Sequence, residues 1–190
     1  PIMSEKQYGM LVRTGRCVGC QTCVVGCHVL NECPEGVYLG HLETVGHEDN
    51  YLVDGTFPNV RVTFRPHLCN HCAKPACVEN CPTGAMRKRE EDGVVETDPE
   101  VCIGCGTCVK ACPYGAPALD EERKVAVKCN LCRPRVERGE EPLCVCSCPG
   151  EARLFGDVND PSSDIAKAIA ETKAEPLLPE EGTEPSVYYC

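Results

Sequence analysis

Tryptophan is absent from the 190-residue chain, and there are only three Phe and three Met. Large apolar side chains normally supply most of an interior, so a conventional aromatic and aliphatic core of the size expected for this length is excluded. No stretch approaches the roughly 18 consecutive apolar residues of a membrane span. No charged-then-apolar leader precedes the first motif, and there is no N-x-S/T sequon. The expectation is a soluble protein with no direct membrane span. Basic residues are in deficit, 19 against 29 acidic, for a formal net charge of −10, which argues against a nucleic-acid partner. There is no G-x-x-x-x-G-K-S/T run, and Gly104-Cys-Gly106 lacks the third Gly of a dinucleotide fingerprint. No C-x2-C is followed directly by His, so covalent haem attachment is also absent.

Cysteine, by contrast, occurs 19 times. Such density in a small secreted chain usually marks a disulfide framework. An odd count and spacings that repeat point instead to metal ligation. The strongest run is Cys102-Ile-Gly-Cys105-Gly-Thr-Cys108-Val-Lys-Ala-Cys112-Pro113, the C-x2-C-x2-C-x3-C-P spacing that wraps cubane iron–sulfur clusters. Gly104 and Gly106 allow the backbone angles that turn three thiolates toward one point. Cys17, Cys20, Cys23 and Cys27 repeat that spacing, with His28 in place of Pro113. A second motif type, beginning Cys-Asn-x-Cys and ending Cys-Val-x-x-Cys-Pro, comprises Cys69, Cys72, Cys77 and Cys81, and again Cys129, Cys132, Cys144 and Cys148. The chain therefore reads A, B, A′, B′. Its sixteen motif cysteines match the requirement of four thiolate-ligated 4Fe-4S clusters. Cys33, Cys146 and Cys190 remain as free thiols. Zinc is the chemical competitor, since four-thiolate sites also use C-x2-C pairs. Three cysteines at x2 spacing with a fourth at x3 favour the cubane.

Gln7 to Arg13 reads as a strand leading into the first motif. Residues 28–66 lack cluster spacing and hold His28, His41 and His47, an Asp54-Gly55 turn and a Val60–Phe64 strand. This stretch reads as an insertion that covers the clusters or meets a partner. Two hairpins are expected, Ala85–Arg89 with Val94–Thr97 around Asp92-Gly93, and Ala116–Leu119 with Lys124–Val127. Arg87-Lys-Arg89 reads as a solvated hairpin face. Arg153–Phe155 is a short strand, and Asp160-Pro161 is expected to cap and open a helix running to about Lys173. The Pro- and Glu-rich tail from Pro176 to Cys190 reads as an extended arm that orders on a partner or stays disordered.

On these motifs the chain resembles the four-cluster iron–sulfur subunits of complexes in the dimethyl sulfoxide reductase superfamily, over residues 7–158 and again at Glu181–Tyr189. The resemblance implies an α+β fold of two nested ferredoxin-like dicluster modules with short β-hairpins and little regular secondary structure. Residues 7–30 and 125–158 would form the outer module, 31–66 an insertion, 67–124 the inner module, and 159–190 a helix and acidic extended tail. It implies four 4Fe-4S clusters in four ligand sets. These are Cys17, Cys20 and Cys23 with Cys148; Cys129, Cys132 and Cys144 with Cys27; Cys69, Cys72 and Cys77 with Cys112; and Cys102, Cys105 and Cys108 with Cys81. The implied role is non-catalytic electron transfer to or from a molybdenum- or tungsten-pterin catalytic subunit. A membrane anchor or a soluble electron donor or acceptor would stand at the other end. Such a chain would work in the cytoplasm or be co-exported with a partner bearing a twin-arginine leader. The rival readings are a stand-alone polyferredoxin or hydrogenase-associated carrier, which shares every ligand, and a zinc-based interaction module with the acidic tail as its binding arm.

Overall fold

Met10, Leu11 and Val12 are completely buried, and the strand that carries them, β1 (Tyr8–Val12), lies inside a four-stranded sheet. The computed structural model describes residues 6–45 and 55–190; His47 and Asp54 of the expected insertion lie outside these. β8 (Arg153–Asp157) pairs antiparallel with β1, and β10 (Val187–Tyr189) pairs parallel with it, Met10 facing both Phe155 and Val187 in register. β9 (Glu175–Pro176) completes the edge. Gly9 makes this packing possible, because a Cβ there would stand 2.2 Å from the Ser186 carbonyl oxygen. The tail therefore does not wait for a partner. It is folded onto its own chain, with further backbone hydrogen bonds from Ala73 to Glu184, Lys74 to Thr183 and Ser186 to Asn70.

Both expected hairpins form, β4 (Met86–Lys88) with β5 (Val95–Thr97) and β6 (Ala118–Asp120) with β7 (Val125–Val127). The strand expected at Val60–Phe64 begins later. β3 runs Thr63–Leu68 and pairs with β2 (Gly40–Val45), for which the sequence carried no strand expectation. This third hairpin lies on the first motif, the Phe64 ring filling the space beside Gly19. α6 (Asp164–Thr172) starts later than expected as well. Asp160 binds the Ser162 amide in a preceding turn, and Ser163 is the cap, accepting from the Ala166 N–H. In the Arg87-Lys-Arg89 run, Lys88 turns inward to Gln7 Oε1 and the carbonyls of Cys72 and Gly93, rather than to solvent.

Four short helices carry motif cysteines. α1 (Thr22–Leu30) and α3 (Thr107–Ala111) belong to the A motifs and each follows a left-handed residue, Gln21 or Gly106. α2 (Ala76–Glu79) and α5 (Leu143–Cys146) belong to the B motifs, each follows a Pro, and in each the Val at the same place donates to that Pro carbonyl at 2.9 Å. α4 (Arg133–Val136) lies within the long B′ gap. α1 outruns α3 because Pro113 holds Cys112 in an extended conformation, whereas His28 continues the helix and is tied to the Val37 carbonyl. α1 packs on α5 and α2 on α3, and Gly26 lets α1 close to Leu143.

Candidate metal centres

The A-type left-handed entrance and the B-type Pro entrance set where each thiol points. Cys69, Cys72, Cys77 and Cys112 line one small cavity, together with Tyr114 and Thr183. Cys81, Cys102, Cys105 and Cys108 line a second. In each, three cysteines come from one motif and the fourth from the other. Outside these two cavities, other motif cysteines also lie near cysteines of a different motif. Cys17 has Cys23 and Cys148 within Coulombic reach, and Cys27 has Cys144 and Cys132. Helix packing accounts for this, since α1 brings Cys27 to α5 and its Cys144.

None of the nineteen cysteines forms a disulfide. Among the described residues, no three His, Cys, Asp or Glu stand close enough to hold a single metal ion. A polynuclear cluster spreads its thiolates around itself, so this donor set fits a cubane and does not fit one tetrahedral zinc. The polypeptide also aims donors at the sulfurs. Backbone N–H groups of Met86, Ala126 and Ala152 point at Cys81, Cys102 and Cys148 at 3.3 Å, and that of Leu131 points at Cys129 at 3.4 Å. Within the Cys69–Cys72 loop, the buried Asn70 Oδ1 and His71 Nε2 have no hydrogen-bond partner among the described residues, and His71 Nδ1 accepts from the Val95 N–H.

Burial pushes the Cys27 and Cys77 thiols up to about 12 and those of Cys72 and Cys144 to about 11. It raises Cys129 as well. These groups resist ionising alone, so cluster assembly must displace their protons. Cys20 and Cys105, at equivalent places in the A motifs, are exposed. The hydroxyls of Thr22 and Thr107 hold these two thiols below their ordinary value.

The three spare cysteines line neither of these two cavities. Cys146 is exposed and its thiol donates to the Leu143 carbonyl. Cys190 is exposed at the C-terminus, and Cys33 is half-buried beyond α1. Of the histidines, His41 stacks on His67 at 4.6 Å, and His67 Nε2 meets Glu43 at 2.5 Å. Two groups near the thiols were not legible as site residues. Thr183 reaches the first cavity from the tail, bound to the Tyr114 hydroxyl at 2.6 Å, and Arg153 reaches Cys23 Sγ at 3.6 Å. Only the family likeness at Glu181–Tyr189 hinted at the former; a strand assignment concealed the latter.

No helix among the described residues is long and apolar enough to cross a membrane. Residues 60–158 match the family model for the 4Fe-4S dicluster domain. The chain is 40% identical to a sulfite dehydrogenase subunit of Allochromatium vinosum, over 96% of this chain and 82% of that protein. It is 41% identical to a tetrathionate reductase subunit of Salmonella typhimurium, over 96% and 72%. To a putative dimethyl sulfoxide reductase iron-sulfur subunit of Halobacterium salinarum it is 36% identical, over 96% and 78%.

Proposed function

The chain belongs to the 4Fe-4S dicluster family and is a non-catalytic, electron-transfer iron–sulfur subunit, and from that premise we propose a specific wiring for its four clusters. The outer module, residues 7–30 and 125–158, encloses the inner module, residues 67–124, with residues 31–66 inserted between them. The inner sets are Cys81 with Cys102, Cys105 and Cys108, and Cys112 with Cys69, Cys72 and Cys77. The outer sets are Cys27 with Cys129, Cys132 and Cys144, and Cys148 with Cys17, Cys20 and Cys23. The observation that carries this reading is the exchange of the fourth cysteine between the two inner cavities.

When bound, each cluster supplies a one-electron step. The residues of the chain determine order and exposure. Cys129 lies within Coulombic reach of Cys69, and Cys144 within reach of Cys23, which supports a linear sequence of the four sets. The exposed Cys105 and Cys20 mark its two ends. One end serves a catalytic subunit with a molybdenum- or tungsten-pterin cofactor, and the other a membrane anchor or a soluble donor or acceptor.

Anaerobically purified protein should hold about 16 iron and about 16 acid-labile sulfide per chain. Cys148→Ser should change the electron paramagnetic resonance signal of the cluster on Cys17, Cys20 and Cys23, or convert it toward a three-iron form, and leave both inner signals in place. Loss of the Cys129 cluster instead would sink the exchange, as would about half the iron with zinc making up the balance.

A further inference from the structure

Two Lys or Arg side chains are buried among the described residues, Lys128 and Arg153, each 7% exposed. Neither has a carboxylate partner among those residues. Lys128 Nζ donates to the carbonyls of Val95 and Cys129. The Arg153 guanidinium donates to Met10 Sδ at 3.3 Å and to Cys23 Sγ at 3.6 Å. Carbonyl and sulfur partners satisfy hydrogen bonds but not charge. A buried cation left without an anion is strongly unfavourable, so each position calls for a negative group that the side chains do not provide.

The placement of the two cations identifies that group. Arg153, at the head of β8, touches Cys23 of one outer set and has Cys144 of the other within Coulombic reach. Lys128 lies beside Cys129 of an outer set, has Cys77 of an inner set within Coulombic reach, and is bound to Val95, which lines the cavity of that inner set. The basic side chains thus occupy the two successive gaps of the wire that lie outside the inner pair. A cubane with four thiolates is anionic in both redox states, gains a further negative charge on reduction, and is tuned by nearby charge and by hydrogen bonds to its sulfurs. A fixed cation between two such centres stabilises the reduced form of both and screens the repulsion between electrons on neighbours.

We propose that Arg153 and Lys128 are fixed counter-charges at these gaps, each raising the reduction potentials of the clusters on its two sides and so easing electron passage across its own gap. The inference rests on the ligand sets proposed above. It is local: Arg153 acts on both outer clusters, Lys128 on the Cys77 and Cys129 clusters, and neither on the cluster that includes Cys105.

The test is an anaerobic potentiometric titration of the purified complex followed by electron paramagnetic resonance. The four reduced-cluster signals are first assigned with Cys27→Ser, Cys148→Ser, Cys81→Ser and Cys112→Ser. In Arg153→Met the reduction equilibrium of both outer clusters should fall at least ten-fold, 59 mV for one electron, with the inner clusters unmoved. In Lys128→Met the Cys77 and Cys129 clusters should fall instead, so the Cys129 cluster alone responds to both substitutions. Arg153→Lys, which keeps the charge but loses the bond to Cys23, is measured alongside so that the comparison survives if Arg153→Met does not assemble; it should lower the Cys23 cluster only. Variants with full iron and unchanged midpoints, or with all four midpoints moved equally, overturn the inference and leave the ligand sets standing. A failure of the ligand sets is recognised separately, by the cysteine variants altering signals other than those assigned to them.

Discussion

Cys144 and Cys146 lie two positions apart on one helical turn, and that spacing sends their thiols to different sides of α5. Cys144 packs against the main apolar cluster, and burial holds its thiol at about 11. Cys146 is exposed and bonded to the carbonyl of its own turn. Cys144→Ser should therefore cost the protein about four of its iron atoms, with the Cys129 and Cys132 signal altered, whereas Cys146→Ser should leave iron content unchanged. Equal loss from both, read by iron assay and electron paramagnetic resonance, would show that B′ is misassigned. The same contrast explains what was readable at this scale. A C-x2-C-x2-C-x3-C run encodes its purpose locally, because spacing alone sets which thiols converge. Arg153 carries no such mark: its proximity to Cys23, 130 positions away, arises only when β8 pairs with β1.

At the scale of elements, the hairpin of β4 and β5 was legible because an Asp92-Gly93 turn separates two strands close in sequence, so the pairing is local. β10 was not legible. Val187-Tyr-Tyr189 is a short run after a Pro- and Glu-rich stretch, and its partner, β1, lies at the other end of the chain. Pairing at that separation is decided by what β1 leaves open on its free edge. β3 was displaced for a related reason, since its register is set by β2 and by contact of Phe64 with Gly19. The tail now has a testable structural duty. Val187 is fully buried against the β1 core, and the backbone bonds Met10 to Ser186, Cys190 to Val12 and Thr14 to Cys190 tie the ends together. Val187→Ala should destabilise the cluster-loaded protein by about 2 kcal/mol, measured by anaerobic denaturant unfolding. Ending the chain at Gly182 should abolish hydrogen-exchange protection of the Met10 amide; retained protection would mean the tail is dispensable for this sheet.

Across the whole molecule, the shortage of aromatic side chains and the surplus of cysteine are two aspects of one design. The main apolar cluster of Met10, Val12, Leu68, Val94, Leu131, Val145 and Val187 has Cys129 and Cys144 packed against it. A second cluster contains Cys77 and Cys108 among its buried members, with Cys81 and Cys102 beside them. Motif cysteines are thus core residues. Without metal, their burial keeps several as neutral thiols around cavities, and the cations at Lys128 and Arg153 face no carboxylate among the described residues. With metal, the proposed ligand sets link positions as distant as 17 and 148 or 27 and 129, so cluster formation cross-links segments that the polypeptide core alone holds weakly. Binding free energy of this kind is folding free energy. Chelating iron under oxidising conditions should therefore unfold the chain in one cooperative step, with loss of visible cluster absorption coinciding with loss of circular dichroism and with the onset of protease sensitivity. An iron-free chain that kept native secondary structure and resisted protease would show that the β1 sheet and the small apolar clusters suffice, and that the clusters are guests in a fold that stands without them.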